Sequence, residues 1–450
     1  MSGYAEYREV NLPWLKAVPA HWEIRRNKNI FTEQKEIVGE RSADYTLLSL
    51  TLNGIIPRDM DGGGKFPESF DKYKIVKNGD MAFCLFDIDE TPRTVGLSGY
   101  NGMLTGAYTI MRVSNINARF IYYYYLALDN GKMLRPLYTG LRKTININTF
   151  QSTKVPVPPR EEQDQIVRFL DWKVSSINKL INIKKKEIKA IDALKRSTVS
   201  HAITRGLTAD APTKYSGVKW LGDIPAHWNV TKLRQILHPV SEKNHPEFPL
   251  LSVVREQGVI LRDVEDKEAN HNFIPDDLSG YKVVRKGQFA MNKMKAWQGS
   301  YGVSDYTGIV SPAYFIFDIA FENLEYFHYA IRSKVYVNFF AQASDGIRVG
   351  QWDLQMDKMK EIPFIVPPAD EQIVIVKYIK QALPQYDAAI EKLTEEVAVL
   401  EEYKNKVIAD AVTGKIDVRG IEIPEYEFVD EDADADNEDD GEEDTEEQED

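Results

Sequence analysis

The segment Pro19-Ala20-His21-Trp22, which follows Trp14-Leu15, occurs twice in this sequence. The second copy is Pro225-Ala226-His227-Trp228 after Trp220-Leu221, 206 residues later. Five further matches follow in the same order: Leu47-Leu48-Ser49 with Leu250-Leu251-Ser252, Tyr73-Lys74-Ile75-Val76 with Tyr281-Lys282-Val283-Val284, residues 102–108 with 308–314, Gly140-Leu141-Arg142 with Gly346-Ile347-Arg348, and Val157-Pro158-Pro159 plus Glu162-Gln163 with Val366-Pro367-Pro368 plus Glu371-Gln372. Because the offset varies only from 203 to 209 residues, chance does not explain the matches, and the chain consists of two related units.

Each unit has a globular part and a helical part. The globular part mixes short strand-like runs with glycine-containing turns, which is typical of a mixed α and β domain. It also contains an aromatic stretch, at residues 120–128 and 326–340. Aromatic residues at helical spacing usually fill a core, so we interpret both stretches as buried helix faces, and a surface for stacking bases is the alternative.

The helical part begins after each Val-Pro-Pro segment. Apolar residues then recur every three or four positions, at residues 170–202 in the first copy and 379–411 in the second. This heptad seam predicts a coiled coil. Lys184 occupies a seam position in the first copy, where a polar residue specifies register at a cost in stability.

The two seams have nearly equal length, so pairing with each other is the simplest way to bury both. We favour antiparallel pairing, which relates the two globular parts by a pseudo-twofold axis; pairing of each helix with a partner protein is the alternative. The sequence therefore predicts an α+β fold, with two similar mixed α/β globular domains separated by a long antiparallel two-helix coiled coil. The expected boundaries are 1–158 and 207–367 for the globular domains, 159–206 and 368–416 for the helices, and 417–450 for an acidic disordered tail.

Composition places the chain among globular proteins of a reducing compartment. It has 450 residues, of which 43% are hydrophobic and 28% are charged. The single cysteine, Cys84, excludes a disulfide framework and a cysteine-rich zinc site. No apolar run approaches the ~18 residues of a membrane span, and the polar N-terminus does not resemble a signal peptide. We therefore expect a cytoplasmic protein.

The charge is distributed unevenly. Residues 421–450 hold 18 of the 69 acidic residues and none of the 56 basic ones, so the rest of the chain has a net charge of +5 although the whole has −13. Such asymmetry is a weak indication of nucleic-acid binding. The tail is interpreted as a solvated disordered segment, and the alternative is a competitor for the basic surfaces when DNA is absent.

Motifs for catalysis and metal binding are absent from the sequence. Residues 62–66 lack the spacing and the hydroxyl residue of a phosphate-binding loop, and the Val-Pro-Pro segments do not match the Asn-Pro-Pro-aromatic motif of amino-methyltransferases. His21 and His227 have no second ligand at metal spacing, so we interpret each as a structural histidine beside a buried tryptophan. A carboxylate cluster at residues 87–90 is not repeated in the second copy. We expect no catalytic and no metal-binding residues.

The duplicated Trp-Leu and Pro-Ala-His-Trp segments, the repeated Val-Pro-Pro and Glu-Gln boundary and the heptad helix after each copy resemble the DNA-specificity subunit of type I restriction–modification enzymes. The resemblance covers nearly all of residues 10–420. It implies two target recognition domains, each reading half of a bipartite asymmetric DNA sequence, and two helices that set the gap. The implied partners are double-stranded DNA, two methyltransferase subunits and restriction–translocase subunits, which would bind S-adenosylmethionine, ATP and Mg. The acidic tail after Ile421 departs from this pattern.

The candidate base-reading segment of the second copy is residues 292–300. Phosphate contacts need surface Lys or Arg, and base reading needs groups such as Arg, Asn and Gln in a groove. This segment follows a short apolar strand and supplies Asn292, Lys293, Lys295, Trp297 and Gln298 as candidates. A solvated surface loop without function is the alternative.

The equivalent segment of the first copy is residues 87–94, where Arg93 and Thr94 are the candidates. This loop is acidic, so we expect the two copies to read DNA differently. Arg142 and Arg348 follow equivalent glycines, and Lys143 extends the first pair. We expect these three to position the DNA backbone, and plain surface ion pairs are the alternative.

Two other classes of protein fit part of the sequence. A coiled-coil adaptor that binds only proteins would need neither the net positive body nor the polar loops. A nuclease or methyltransferase acting alone would need the motifs that are missing. The reading that we favour is a non-catalytic DNA-recognition subunit.

Overall fold

The computed structural model describes residues 2–52, 54–58, 67, 69–138, 143–219, 221–263, 275, 277–348 and 351–430, without the side chains of Ile347, Arg348 and Gln351. The chain forms two compact units. Lobe 1 contains residues 2–186 and 394–430, and lobe 2 contains residues 187–393. Each lobe therefore holds one globular copy and a part of both long helices.

Short strands and two short helices make up the globular part of lobe 1. The strands are β1 Tyr7–Leu12, β2 Leu15–Pro19, β3 Glu23–Arg26, β4 Phe31–Gln34, β5 Leu48–Thr51, β6 Gly54–Pro57, β7 Lys74–Val76, β8 Asp80–Phe83, β9 Val95–Leu97, β10 Gly102–Leu104, β11 Thr109–Val113 and β12 Lys154–Val157. The helices are α1 Ala118–Asn130 and α2 Ile147–Ser152, and the long helix α3 Arg160–Arg205 follows.

The globular part of lobe 2 is built in the same way. Its strands are β13 Thr213–Tyr215, β14 Asp223–Pro225, β15 Asn229–Lys232, β16 Leu237–Val240, β17 Leu251–Val254, β18 Gly258–Leu261, β19 Lys282–Val284, β20 Phe289–Met291, β21 Tyr301–Val303, β22 Gly308–Val310, β23 Phe315–Ile319, β24 Ser344–Arg348, β25 Gln351–Leu354 and β26 Pro363–Val366. Its helices are α4 Leu324–Ile331, α5 Lys334–Gln342 and α6 Met356–Lys360, followed by the long helix α7 Ala369–Val412.

The sheet topology repeats from lobe to lobe. A four-stranded antiparallel sheet has the order β4-β11-β8-β9 in lobe 1 and β16-β23-β20-β21 in lobe 2. The strand pairs β3 with β12, β5 with β6 and β7 with β10 correspond to β15 with β26, β17 with β18 and β19 with β22. The hairpin β24-β25 is a further strand pair of lobe 2. The predicted mixed fold with a duplicated architecture is confirmed.

The aromatic stretches are buried helix faces, as predicted. In α1, the Asn117 side chain accepts hydrogen bonds from Arg119 N (2.9 Å) and Phe120 N (3.3 Å) and so starts the helix. Tyr124 and Tyr125 of α1 are almost fully buried, and so are Tyr326 and Tyr336 in lobe 2. Rings that the core encloses cannot form a surface for bases.

The long helices run antiparallel within each lobe. In lobe 1, Lys404 Nζ donates to Asn178 Oδ1 at 3.3 Å, and Lys184 forms an ion pair with Glu396. In lobe 2, Lys195 forms an ion pair with Asp387. Residue numbers rise on α3 as they fall on α7, which confirms the antiparallel pairing.

Two of the predicted seam positions remain exposed. Leu194 and Tyr403 occupy equivalent seam positions but keep 54% and 41% of their surface exposed. Lys184, the polar residue on the predicted seam, pairs with Glu396. The helix α7 continues through Pro384.

A hydrogen-bonded clamp attaches each globular part to the start of a long helix. In lobe 1, the Glu162 carboxylate accepts from Trp22 Nε1 (2.9 Å) and Tyr4 OH (2.6 Å) and lies 2.7 Å from His21 Nε2. In lobe 2, Glu371 accepts from Trp228 Nε1 (2.9 Å) and pairs with His227. Both histidines therefore have the structural role that the sequence predicts.

The same tryptophans receive the end of the other long helix. Gly414, just after α7, lies against Trp22, and Gly206, just after α3, lies against Trp228. Both glycines have a positive φ, of 74° and 73°. A Cβ atom on Gly414 would lie 2.4 Å from Pro19 Cδ, so only glycine fits there. Each lobe thus binds the start of one long helix and the end of the other.

The expected disordered tail does not begin at residue 417. Val418 is fully buried, and Ile421 and Ile423 pack on the core of lobe 1. Residues 427–430 form hydrogen bonds with α3. Residues 431–450 lie outside the described residues. Within the part of the chain that the structure describes, no helix is long and apolar enough to cross a membrane.

Candidate nucleic-acid interface

Residues 292–298 form a short, well-anchored turn of 3-10 helix in lobe 2. The Asn292 side chain accepts from Met294 N (3.1 Å) and donates to Tyr314 OH (3.2 Å), and Asn292 N donates to Ser300 O (2.9 Å). Gly299 ends the turn with a φ of 100°. The sequence predicts Asn292 as a base-reading residue; in the structure its side chain shapes the turn, and its contact with DNA stays a prediction.

This turn packs on the β24-β25 hairpin. Lys293 Nζ lies 2.7 Å from Asp353 Oδ1, and the rings of Trp297 and Trp352 stack at 5.4 Å with an angle of 25°. Arg348 is the last residue of β24, and its side chain lies outside the described part of the structure. The two segments that the sequence singles out in the second copy therefore form one surface.

Lys295 and Gln298 are partly exposed on this surface. Gln298 also lines a cleft of about 470 Å³ in lobe 2. Arg255 and Lys334 lie on the same cleft, together with Glu256. A neutral amide beside basic side chains is suitable for contacts with a polar, negatively charged ligand.

Arg332 also lines the cleft and holds the backbone around it. Its guanidinium donates to the carbonyl oxygens of Arg255 (2.8 Å), Glu256 (2.8 Å) and Tyr301 (2.5 Å). Burial lowers the pKa of Arg332 from its usual range. Burial, with help from the Arg332 charge, lowers the pKa of His328 to about 4. His328 is therefore neutral at pH 7, and its Nδ1 accepts from Val303 N at 3.3 Å.

In lobe 1, Thr94 and Arg93 both form hydrogen bonds with the end of α1. Thr94 is 2% exposed and donates to Asp129 through its backbone N (3.0 Å) and Oγ1 (2.7 Å). Arg93 Nη1 donates to Asp129 Oδ2 (3.1 Å) and to Asn130 Oδ1 (2.6 Å). Thr94 is therefore held inside the fold, which corrects its proposed contact with DNA, whereas Arg93 is half-buried and its contact with DNA stays a prediction.

Lys143 lies beside the acidic part of the same loop. Its Nζ is 3.2 Å from Glu90 Oε1 and 3.6 Å from Asp89 Oδ2. The hydrogen bond to Glu90 raises the pKa of Lys143. The surface ion pair that the sequence gives as the alternative for Lys143 is therefore present. Arg142 lies outside the described residues.

Both lobes bring the same two segments together. In lobe 1, Ile145 N donates to Leu85 O at 2.8 Å, which joins the loop after β8 to the segment that follows Arg142. In lobe 2, the turn after β20 contacts β25. The side chains at these equivalent places differ, since lobe 1 presents acidic residues and lobe 2 presents tryptophan and lysine.

No metal site accompanies these loops. Among the residues that the structure describes, no group of three or more His, Cys, Asp or Glu side chains is arranged to hold a metal ion.

Comparison with known proteins shows which proteins this chain resembles. The family described as "Type I restriction modification DNA specificity domain" matches residues 70–192. The type I restriction enzyme MjaVIII specificity subunit of Methanocaldococcus jannaschii is 24% identical over 446 residues, which cover 92% of this chain and 98% of that protein. Over most of its length the chain is similar to type I restriction enzyme specificity subunits.

Two further proteins show the same similarity. The putative type I restriction enzyme MjaX specificity subunit of the same organism is 23% identical over 435 residues, covering 89% of this chain and 95% of that protein. A solved chain of a type I R-M system, from work on complex assembly and conformational transition, has a TM-score of 0.57 at 13% identity and covers 89% of this chain and 99% of its own. That likeness supports the fold.

The sequence did not reveal one prominent residue of the candidate interface. Trp352 keeps 37% of its surface exposed on the hairpin while it stacks on Trp297. It lies only four positions after Arg348, so its proximity to a proposed contact was a usable signal. Asp353, which holds Lys293, gave no signal, because the pairing depends on the hairpin register.

Proposed function

We propose that this chain is the DNA-specificity subunit of a type I restriction–modification complex, in which each lobe reads one half of a bipartite, asymmetric DNA target. The single observation that carries the proposal is the pair of equivalent loop clusters. They lie at the same place in two copies of one architecture, yet carry different side chains. Two readers of different sequences require that combination, because base contacts specify the sequence while the scaffold positions them.

The base-reading surface of lobe 2 is the turn at residues 293–298 together with the β24-β25 hairpin. Gln298 supplies an amide that can pair with a base edge, and Lys295 supplies positive charge for phosphates. Trp352 adds an aromatic face that a base or sugar can contact. Arg348 remains a proposed phosphate contact, and so does Arg142 in lobe 1.

The long helices set the spacing of the two half-targets and bind the methyltransferase subunits. Exposed apolar side chains that lie close together on one helix support the second role, because contiguous apolar patches in contact with water mark binding surfaces. In lobe 1 these are Leu180 and Ile183 of α3. In lobe 2 they are Ile373, Val374 and Tyr378 of α7.

Subunits of this kind are generally non-catalytic. The partners would therefore carry the methyl transfer and the ATP-dependent steps, and they would bind S-adenosylmethionine, ATP and Mg. Incubation of the lone chain with S-adenosylmethionine and DNA should transfer no methyl group. Methyl transfer by the lone chain would assign the activity to this subunit instead.

Methylome sequencing of cells with and without this chain tests the proposal directly. We expect a methylated motif made of two short specified parts around an unspecified spacer, and its loss when the chain is deleted. A methylome that does not change would contradict the proposal. Binding to random-sequence duplexes at two salt concentrations separates this reading from a protein-only adaptor, since a DNA-binding subunit loses affinity steeply as salt rises.

A further inference from the structure

The C-terminal segment of the chain follows the first long helix in lobe 1. Gln165 Nε2 donates to Ile421 O (2.8 Å), Ser175 Oγ donates to Glu427 O (3.1 Å), and Asn182 Nδ2 donates to Asp430 O (2.9 Å). Residue numbers rise together on the segment and on the helix, so the two run in the same direction. We name residues 418–430 the strap.

Buried polar side chains of α3 hold the strap. Ser175, Asn178 and Asn182 are polar but only 2%, 6% and 7% exposed. Each of them donates to a strap carbonyl oxygen, and Val429 N returns a hydrogen bond to Ser175 Oγ at 2.8 Å. Buried polar side chains need such partners, so the strap satisfies the groups that it covers.

The second long helix lacks this set of side chains. At the positions 209 residues later, Ser175 is replaced by Pro384, Asn178 by Asp387 and Asn182 by Glu391. Proline offers no donor, and the two carboxylates would repel an acidic segment. The helix α3 offers this set of hydroxyl and amide donors and α7 does not at the equivalent positions, so the strap binds the helix that can hydrogen-bond to it.

The strap leads toward lysine residues. From Glu427 to Asp430 an extended chain advances ~10 Å, and from Ser175 to Asn182 the helix advances by the same ~10 Å. Continued in that direction, the next turn of the same helix face carries Lys185 and Lys186, three and four residues after Asn182. Both lie in the helix α3, and Lys186 is exposed.

The sequence that follows the strap is strongly acidic. Residues 431–450 contain 14 Asp or Glu and no Lys or Arg. Because Asp430 is held beside Asn182, these acidic residues are joined to the chain close to Lys185 and Lys186, and such a tether raises effective concentration. Each exposed ion pair is weak alone, but many acids on one tether near clustered lysines act together.

We propose that residues 431–450 dock along the α3 face that carries Lys185 and Lys186 and compete there with DNA phosphates. The docking is independent of the proposed function, whereas the competition rests on it. The acidic tail would then lower nonspecific binding to DNA, and a duplex bound by both recognition surfaces would displace it.

Zero-length carbodiimide crosslinking of the intact chain without DNA tests the docking. It joins lysine amines to adjacent carboxylates, and mass spectrometry after digestion locates the links. We expect links from Lys185 or Lys186 to residues 431–450. The ion pair of Lys184 with Glu396 serves as an internal control, because it must also be captured. In Lys185→Arg/Lys186→Arg, which keeps the charge but removes the amines, the tail links should disappear and the control link should remain.

Two crosslinking results would overturn the docking. One is a captured Lys184–Glu396 link without any link to the tail. The other is a set of tail links that lie on other lysines and do not change in the double arginine variant.

Binding to a random-sequence duplex tests the competition. A chain truncated after Asp430 keeps the strap, and at low salt we expect it to bind about tenfold more tightly than the full chain, with a gain that disappears at high salt. A full-length variant whose tail acids are changed to Asn and Gln should behave like the truncation. In Lys185→Gln/Lys186→Gln, the truncation should gain less than about twofold, since the tail has lost its site.

The outcomes separate the two parts of the inference. An unchanged affinity after truncation overturns the competition. An equal gain in the presence and absence of Lys185 and Lys186 shows general charge repulsion and overturns the site. If the truncated chain binds no duplex at low salt, then the competition fails together with the proposed function, and the crosslinking still decides the docking.

Discussion

The two proposed recognition loops, residues 87–94 and 292–300, lie at equivalent positions but differ in their contacts. In lobe 1, Arg93 and Thr94 both donate hydrogen bonds to Asp129, and Thr94 is buried. In lobe 2, Trp297 packs on Trp352, and Lys293 pairs with Asp353 at a partly exposed surface. One architecture can therefore carry two different surfaces at equivalent positions.

The helix clamps, in contrast, use the same residues in both lobes. Glu162 and Glu371 occupy the same place and bind the same tryptophan and histidine pair. Tyr4 adds a third donor only in lobe 1, where the Glu162 side chain is 6% exposed against 37% for Glu371. Identical residues therefore hold the architecture, although their burial, and so their contribution to stability, differs.

Lengthening both long helices should have the largest effect. The sequence alone places the insertions near Lys184 and Leu393, and the ion pair of Lys184 with Glu396 places the second one more accurately beside Glu396. Four residues add ~6 Å to a helix, which corresponds to about two base pairs. We expect methylation of the original target to disappear and a target with a longer spacer to appear in the methylome.

Both insertions must be made together for this result. A single insertion should break the pairing of the helices and abolish methylation altogether, so it serves as the control. A double insertion that leaves the spacer unchanged would mean that the helices do not set the distance between the half-targets.

Removal of the clamp carboxylates tests whether their burial determines how much they stabilise each lobe. Glu162→Ala should destabilise lobe 1 by about 3–5 kcal/mol, since buried donors lose a charged acceptor, and Glu371→Ala should destabilise lobe 2 by about 1 kcal/mol. Denaturant unfolding with hydrogen exchange measured in peptides of each lobe checks both values. Equal losses in the two lobes would show that burial of the carboxylate does not determine its contribution.

The parts of the fold that the sequence predicts are those written twice. The duplication, the antiparallel helices and the structural histidines follow from local patterns such as Pro-Ala-His-Trp and the heptad spacing. The clamp itself does not, because it joins Trp22 to Glu162 across 140 residues, and neither residue alone indicates its partner. The repeat of both in the second copy was the available signal.

The candidate site was harder to predict for a physical reason. Residue type suggests a DNA contact, but the side chain must also be exposed. Thr94 is buried, and its hydroxyl donates to Asp129, 35 residues away. Lys143 likewise meets Glu90 across 53 residues. The strap was missed because net charge describes residues 417–430 poorly: Val418, Ile421 and Ile423 supply apolar contacts within an acidic region.

Acidic pH should weaken lobe 2 through His328. Because its pKa falls to about 4 in the fold, against 6.5 for the ordinary group, the unfolded chain binds the proton more tightly. The stability linked to neutral His328 is fully present above pH 6.5 and is lost as the pH falls to 4, by about 3 kcal/mol. His328→Gln keeps an acceptor for Val303 N and should remove this loss.

Hydrogen exchange of lobe 2 peptides at pH 7 and pH 4.5 measures that difference. Arg332 and Asp305 act on His328 in opposite directions, so both must be left intact. Lobe 1 peptides of the same samples serve as the control and should not respond to the substitution. An equal acid response of lobe 2 in the variant and the parent chain would contradict the role of His328.

The recognition loops should produce the smallest but most specific effects. Gln298→Ala should relax preference at one base pair of one half-target, by ~1–3 kcal/mol, because an amide that pairs with a base edge is lost. Lys295→Met should weaken binding to every duplex and lower the salt slope by about one. In lobe 1, Thr94→Val should change stability and leave base preference as it is, since its hydroxyl already donates to Asp129. Selection of bound duplexes from a randomised pool, at two salt concentrations, measures all three, and a new base preference in Thr94→Val would return that loop to the reading surface.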